Sequence, residues 1–516
     1  MTTEALLRPA AAVPPAPAAA SSTAALLARL EHSTAPALLT PDRSLTGRKV
    51  VTRVRATAAV LAAHGVGAGR VVALLSGPND PDVVVARHAA RLVGATVVHL
   101  RSMNPRSDEE EFAVEAQLDV LDRTGADVVV TDAASAGRST QLRARRPGLL
   151  VVPTTDDAGP VPAAAPWEND PGECTVVDVT SGTTGAPRLV RQGHAARERL
   201  VARLADDLGP VPTRLLSVTP VTHTTAPMLD AVLLRGGSVV LHRGFDAEAV
   251  LDAVEAGVTD LYLAVPHLCA LLDHPRTATA RLGGLRRVVY SGTPAAPHRV
   301  AAARAVFGDA VAQVYGTTET GGISVLTPED HDEPLLRGTV GRPFPWVQVE
   351  VRDPDSGDPL PLGHAGAVWV RSETTADGYW AEDDTDRMAP DGWVGTGDLG
   401  ALEAHGRLRL VGRLGGVIKL GGLKIHPAAI ESALREHPAV SEAVVHGLRD
   451  AERRESVHAV VVPTAGRDVD EAELVAHVTR RLSAAHAPTR VVVWRGVPLT
   501  RSGKPDRRLV RELLGG

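Results

Sequence analysis

Asp178-Val179-Thr180-Ser181-Gly182-Thr183-Thr184-Gly185-Ala186-Pro187-Arg188 is the stretch from which the rest of the chain is read. Its six-residue centre, Thr180 to Gly185, holds four hydroxyls and two glycines. That composition makes poor core and poor helix. It makes a loop whose backbone N–H groups turn inward beside hydroxyl donors, which suits a polyphosphate. It is not a Walker loop, because no Gly-Lys-Ser/Thr closes it. An apolar run, Thr175-Val176-Val177, precedes the loop, and a helix is expected from His194 to Leu204.

Working outward, the 516 residues allow roughly two to four domains. Apolar residues make up 44% and charged residues 22%, as in an ordinary globular protein. A net charge of −6 gives no reason to expect nucleic acid or an anionic membrane as partner. Two cysteines, Cys174 and Cys269, provide neither a disulfide framework nor a zinc cluster and fit a reducing, cytoplasmic setting. No apolar run reaches the ~18 residues that a membrane span needs. The Ala/Pro-rich start reads as a disordered tail, residues 1–25, and not as a signal peptide.

Lysine usage carries more information. Lys49, Lys419, Lys424 and Lys504 are the only four lysines among 55 basic residues. Where Arg serves for almost every surface cation, a retained Lys points to a site that a planar guanidinium cannot enter.

Up to Leu100, helical and extended segments alternate. Val50–His64 and Val83–Val93 are expected helices, the second capped by Asp82; Val71–Leu75 and Thr96–Leu100 are expected strands. Ser107 with Asp108–Glu111 reads as another helix start. The alternation resumes beyond the loop, with strands at Leu215–Val218, Ser238–Leu241, Leu261–Val265 and Arg287–Tyr290. The expected fold class is α/β. It comprises a large N-terminal region of parallel-rich sheets with a β-rich subdomain (Gly338 to Arg413), followed by a small, compact α+β C-terminal segment. Ligands of open α/β sheets lie beyond the carboxyl ends of the strands.

Two further stretches carry chemistry. Val311 to Gly322 delivers Tyr315, Gly316, Thr317, Thr318 and Glu319: an aromatic face for a nucleobase, and a carboxylate for a Mg²⁺ that travels with phosphates. In Trp393 to Leu399, Asp398 between strand ends can accept two ribose hydroxyls. Gly412 to Lys424 reads as a linker plus hairpin, and Lys504 lies on an exposed Gly/Pro turn.

With these stretches in this order, the chain resembles the AMP-forming adenylating superfamily: acyl-CoA synthetases, peptide-synthetase adenylation domains and luciferases. The resemblance implies a large domain over residues 26–412, a hinge at 413–416 and a lid domain over 417–516. It implies ATP, Mg²⁺ and an acid giving an acyl-adenylate and pyrophosphate, then transfer to a nucleophile. Thr180, Ser181, Gly182, Thr183, Thr184 and Gly185 would hold the β- and γ-phosphates, with Arg188 as the accompanying cation. Tyr315, followed by Gly316 and Thr317, would stack on adenine. Thr318 would contact the α-phosphate and Glu319 would bind Mg²⁺. Asp398 would take the ribose hydroxyls, supported by Arg413. Lys504 would bridge the attacking oxygen and the α-phosphate, and His223 would border the acid pocket.

The chain departs from that pattern twice. Arg188 stands where the family usually has Lys, and Gly415 and Gly416 stand where its hinge usually carries charged residues. The implied acid pocket, with His223, Thr224, His267, Ser291, Gly292 and Thr293, is small and polar and suits a short or aromatic acid. The acceptor is expected to be CoA or a carrier-protein thiol, the carrier acting in trans. The polar pocket and the missing hinge acid motivate an alternative, a diazotase-like member that adenylates nitrite and passes it to an aryl amine. Amide formation is a further branch.

Overall fold

The computed structural model describes residues 21–77, 79–101, 113–155, 174–180, 188–222, 224–380, 388–389, 391–414, 418–420, 423–449, 455–499 and 505–515. It is a mixed α/β structure with a large N-terminal part and a smaller C-terminal part. Two sheets dominate the first. One has seven strands, ordered Gly378–Tyr379, Arg188–Gly193, Cys174–Thr180, Thr96–His99, Val71–Leu75, Val128–Thr131 and Leu150–Pro153. The other has nine, with Val311–Thr317, Arg287–Ser291, Asp260–Ala264, Arg214–Ser217 and Ser238–Leu241 adjacent and parallel at its centre.

Central strands of the seven-stranded sheet are buried on both faces, so they read as unbroken apolar runs. All of Val71–Leu75 is buried, and so is Thr96–His99. Val347–Arg352, Gly366–Ser372, Val394–Leu402 and Leu408–Arg413 form the antiparallel β-rich unit. The C-terminal part has the hairpin Ile418–Leu420/Leu423–Ile425 and the three-stranded sheet Val440–Arg449, Glu455–Pro463, Arg490–Val493. Its own core includes Ile430, Leu434, Val445, Val461 and Leu474. Gly412 lies where the two parts touch: a Cβ there would stand 3.0 Å from that of Ala428, so only glycine allows this approach without displacement.

Four expectations need correction. Residues 22–25 are not part of a tail, because Ser22–Leu30 is a helix that buries Leu26, Leu27 and Leu30. The second helix runs Pro81–Leu92, and its cap is Asp80, whose side chain accepts from the Asp82 N–H. Asp82 instead makes a buried, two-pronged pair with Arg53. The phosphate loop does not lead straight into a helix: Arg188–Gly193 pairs antiparallel with Cys174–Thr180 before the helix His194–Asp207 begins. Asp398 lies within a nine-residue strand, Val394–Leu402, and not between strand ends. The helix start at Ser107–Glu111 falls outside the described residues.

One polar cluster anchors the N-terminal helix. Asp230, fully buried on the helix Thr225–Leu234, faces Arg87 at 2.8 Å, His88 at 3.2 Å, and Arg91 and Arg197 each at 3.6 Å. Glu198 accepts from Arg91 at 2.6 Å and from the Ser22 N–H at 2.7 Å, which ties the first helix to two others. Burial holds the His88 imidazole below its ordinary range. Neutral, it donates from Nε2 to Asp230 and accepts the Thr23 hydroxyl at Nδ1, 3.0 Å away.

Candidate active site

Thr180, Arg188, Tyr315 to Glu319, Asp398 and Arg413 lie on three sheets that side-chain contacts join to one another. Thr180 and Arg188 are register partners, so both ends of the 181–187 segment are pinned side by side. From the same strand as Arg188, the Gln192 amide donates to the Thr318 carbonyl of the nine-stranded sheet at 2.9 Å. Tyr379, on the edge strand, pairs with Val190; its hydroxyl donates to Glu319 Oε1 at 2.9 Å. The Arg188 guanidinium lies 5.7 Å from the centre of the Tyr379 ring. The Ala376 N–H donates to the Glu319 carbonyl at 2.7 Å, fixing the backbone as well.

Tyr315 leaves the Val311–Thr317 strand at an irregularity before Gly316. A Cβ on Gly316 would sit 2.2 Å from the Gly321 carbonyl oxygen, so this tight return to Gly321 and Gly322 requires glycine. Thr317 and Thr320 close the turn, hydroxyl to hydroxyl at 3.0 Å. The Tyr315 hydroxyl donates to Asp398 Oδ2 at 2.6 Å, and Arg413 Nε faces Asp398 Oδ1 at 3.1 Å. Asp398 and Arg413 are register partners, and Arg413 also donates to the Thr396 carbonyl at 3.1 Å. Burial, with the Asp398 charge beside it, raises the Tyr315 phenol well above its ordinary range, so it stays a donor. The contacts from Tyr315 and Arg413 orient the Asp398 carboxylate.

Glu319 suits a cation that arrives with a polyphosphate. Among the described residues no group of three or more His, Cys, Asp or Glu could hold a metal ion alone. Mg²⁺ is commonly held by one or two carboxylates with substrate phosphates supplying the rest. Tyr379 engages one Glu319 oxygen and leaves the other unbonded by described residues. Beside it, burial pushes the Asp178 carboxyl up to about 6, with Arg197 and Arg87 opposing and Glu319 adding to the rise.

Tyr379→Phe is expected to raise the Mg²⁺ concentration for half-maximal activity several-fold while saturating Mg²⁺ restores most of the rate. Titrating Mn²⁺ with ATP by electron paramagnetic resonance would check this as a weaker bound-metal signal. An unchanged metal requirement would refute the positioning role.

Of the implied acid-pocket residues, Ser291 ends a central strand and shares a 2.5 Å hydrogen bond with Tyr262. Gly292 follows with φ +99° and Thr293 is half-buried. Thr224 is exposed at the start of its helix. His267 stacks on Phe245, with centroids 4.5 Å apart, and burial lowers it to about 4, so it is neutral. Ser181, Gly182, Thr183, Thr184, Gly185, His223, Gly415, Gly416 and Lys504 lie outside the described residues.

Sequence reading passed over Tyr379, Gln192 and Tyr262. Rarity was the available signal for two of them. The chain has four tyrosines. Tyr262, Tyr315 and Tyr379 each donate or share a hydroxyl with a residue named above, and Tyr290 is bonded to His331 in the core.

Comparison with known proteins places these features in a wider setting. The family description "AMP-binding enzyme" matches residues 28–380, and "AMP-binding enzyme C-terminal domain" matches residues 429–504. The chain is 32% identical over 511 residues to a medium/long-chain-fatty-acid–CoA ligase of Mycobacterium tuberculosis, covering 93% of this chain and 87% of that one. It is 32% identical over 481 residues to a feruloyl-CoA synthase of an Amycolatopsis species, covering 92% and 94%. The solved amide bond synthetase McbA of Marinactinospora thermotolerans superposes with a TM-score of 0.84 at 34% identity, covering 96% of this chain and 99% of that one.

Proposed function

The chain belongs to the AMP-binding enzyme family, and we propose that it activates a small or aromatic carboxylic acid as its acyl-adenylate, releasing pyrophosphate, and transfers the acyl group to a thiol. One observation carries this reading. The Thr180/Arg188 loop base, the Glu319–Tyr379 pair and the Tyr315–Asp398–Arg413 triad link the seven-stranded, nine-stranded and four-stranded sheets. These are a phosphate cradle, a metal carboxylate and a nucleoside site in the order in which ATP presents its parts.

The reaction joins two anions, so catalysis rests on positioning and on cationic compensation of developing charge. In this reading the 180–185 loop and Arg188 orient the β- and γ-phosphates. Asp398, held by Tyr315 and Arg413, fixes the ribose. Mg²⁺, when bound at Glu319, would offset phosphate charge. The acid carboxylate attacks the α-phosphorus and pyrophosphate leaves. Lys504, on a C-terminal lid hinged near Arg413, would enter between the attacking oxygen and the α-phosphate when that lid closes.

The thiol acceptor draws support from the CoA-ligase names among the relatives. An amine acceptor is a second reading, favoured by the likeness to an amide bond synthetase over 96% of the chain. The relatives described above give no support to the nitrite alternative. Mass spectrometry of products formed from ATP, Mg²⁺ and an activated acid decides among them, with CoA and aryl amines offered in separate reactions. A CoA thioester is the expected product. An amide without a thioester would move the chain to the second reading, and neither product would leave the transfer step of this account wrong.

A further inference from the structure

One face of the nine-stranded sheet is unevenly covered over its central strands. Leu216, Leu261, Leu263, Val288, Tyr290 and Val311 point to the other face and are buried in one core. On the near face, the helix Thr225–Leu234 covers the strands Arg214–Ser217 and Ser238–Leu241, its Leu229, Val232 and Leu233 packing with Leu215, Val239 and Leu241. The next three strands are less covered. Tyr262, Val289, Ser291 and Val314 are only half-buried, although Tyr262, Val289 and Ser291 lie on strands flanked by neighbours on both sides. Partial exposure of these side chains on interior strands points to a cleft over them.

The register maps this cleft. Ser217, Tyr262, Val289 and Ala312 form one row across the sheet, and Ala264 with Ser291 lies one row nearer the carboxyl ends of the strands. Those are the ends from which Gly316, Thr317 and Thr318 emerge. Tyr262 is thus rooted two residues deeper, about 6–7 Å, than Ser291. Its hydroxyl reaches back to Ser291 Oγ at 2.5 Å, which lays the phenol across the cleft.

We infer that the Tyr262–Ser291 hydroxyl pair is the floor of the acid pocket and selects a ring-sized carboxylic acid bearing a hydroxyl or amino group at the end away from its carboxylate. The inference rests on the adenylation reading of the same site and names its substrate class. When one hydroxyl donates to the other, the pair keeps one O–H donor and free lone pairs. A polar substituent on the acid satisfies them. A plain ring or alkyl end leaves them desolvated and unpaired, and sites built to bond a substrate hydroxyl discriminate strongly against analogues that lack it. The phenol also blocks the depth that a long alkyl chain would need.

The test measures pyrophosphate release from ATP and Mg²⁺ with benzoate, 4-hydroxybenzoate and 4-aminobenzoate, the matching cinnamates, and straight-chain acids of increasing length. Wild type is compared with Tyr262→Phe, Ser291→Ala and Tyr262→Ala, all first checked for an unchanged melting profile. Wild type is expected to favour the substituted rings over the plain ones by tenfold or more in kcat/KM. Tyr262→Phe and Ser291→Ala should bring that ratio near one, chiefly through KM, and Tyr262→Ala should move the chain-length optimum to longer acids. An unchanged ratio in Tyr262→Phe, or no shift in chain length in Tyr262→Ala, would overturn the inference while leaving adenylation intact. Silence of wild type with every carboxylic acid would instead overturn the adenylation reading, and this inference with it.

Discussion

Lys504→Ala lowers the rate of acyl-adenylate formation by about 10²–10³-fold and leaves ATP affinity nearly unchanged, because the contact it removes exists only as charge develops between two anions. Lys504 is one of four lysines in a chain that otherwise uses arginine. A compact ammonium fits between a carboxylate oxygen and a phosphate where a planar guanidinium does not, so Lys504→Arg is expected to remain strongly impaired. Among the described neighbours, Leu499 and Pro505 form a bridge, and the Asp506 N–H donates to the Pro498 carbonyl at 2.8 Å. Arg507 Nη2 donates to the buried Glu431 at 2.7 Å. Single-turnover adenylation kinetics and ATP titration separate the two quantities. Equal losses in rate and in ATP binding would contradict the transition-state role.

Asp230→Ala has the largest expected effect on stability. Arg87, Arg91 and Arg197 surround Asp230 in the interior, and removing it leaves buried cations without their counter-charge. Breaking a buried pair from one side typically costs about 3–5 kcal/mol. The loss is expected in the first cooperative step of urea denaturation, with the Ser22–Leu30 helix released early, since Glu198 and Ser22 belong to the same cluster. The pH dependence has a definite sign. Burial pushes the Asp230 carboxyl up, but Arg87, His88 and Arg197 outweigh it and hold it well below the ordinary carboxylate range. Its contribution is therefore complete above the unfolded value of about 4 and declines as pH falls below that. The gap between wild type and Asp230→Asn should narrow over the same acid range. A gap that widened on acidification would contradict the assignment.

Much of the fold was legible because parallel strands buried on both faces leave unbroken apolar runs such as Val71–Leu75 and Ser238–Leu241. Arg188–Gly193 was missed because its arginines and glutamine look like loop; in the structure Arg188 and Arg191 lie over the rings of Tyr379 and Trp380. The strand Val394–Leu402 is hard to read from sequence because glycines flank Asp398. There, Gly400 makes room for the Arg409 carbonyl, which a Cβ would meet at 2.7 Å. Ser22–Leu30 was hidden by its Ala-rich context, since its stability comes from Glu198, far along the chain. The chemical stretches themselves could be read from local composition. Their partners could not: Tyr379 reaches Glu319 across 60 residues and Tyr262 reaches Ser291 across 29. Those contacts exist only once two sheets, or two neighbouring strands, have been assembled.

Acid-dependent exchange of labelled pyrophosphate into ATP tests the central claim most directly, because it reports reversible adenylate formation whatever the acceptor. Exchange that requires both Mg²⁺ and a ring-sized carboxylic acid, needs no CoA, and collapses in Lys504→Ala is the predicted result. Absence of exchange with every carboxylic acid, from a folded protein that binds ATP, would contradict it.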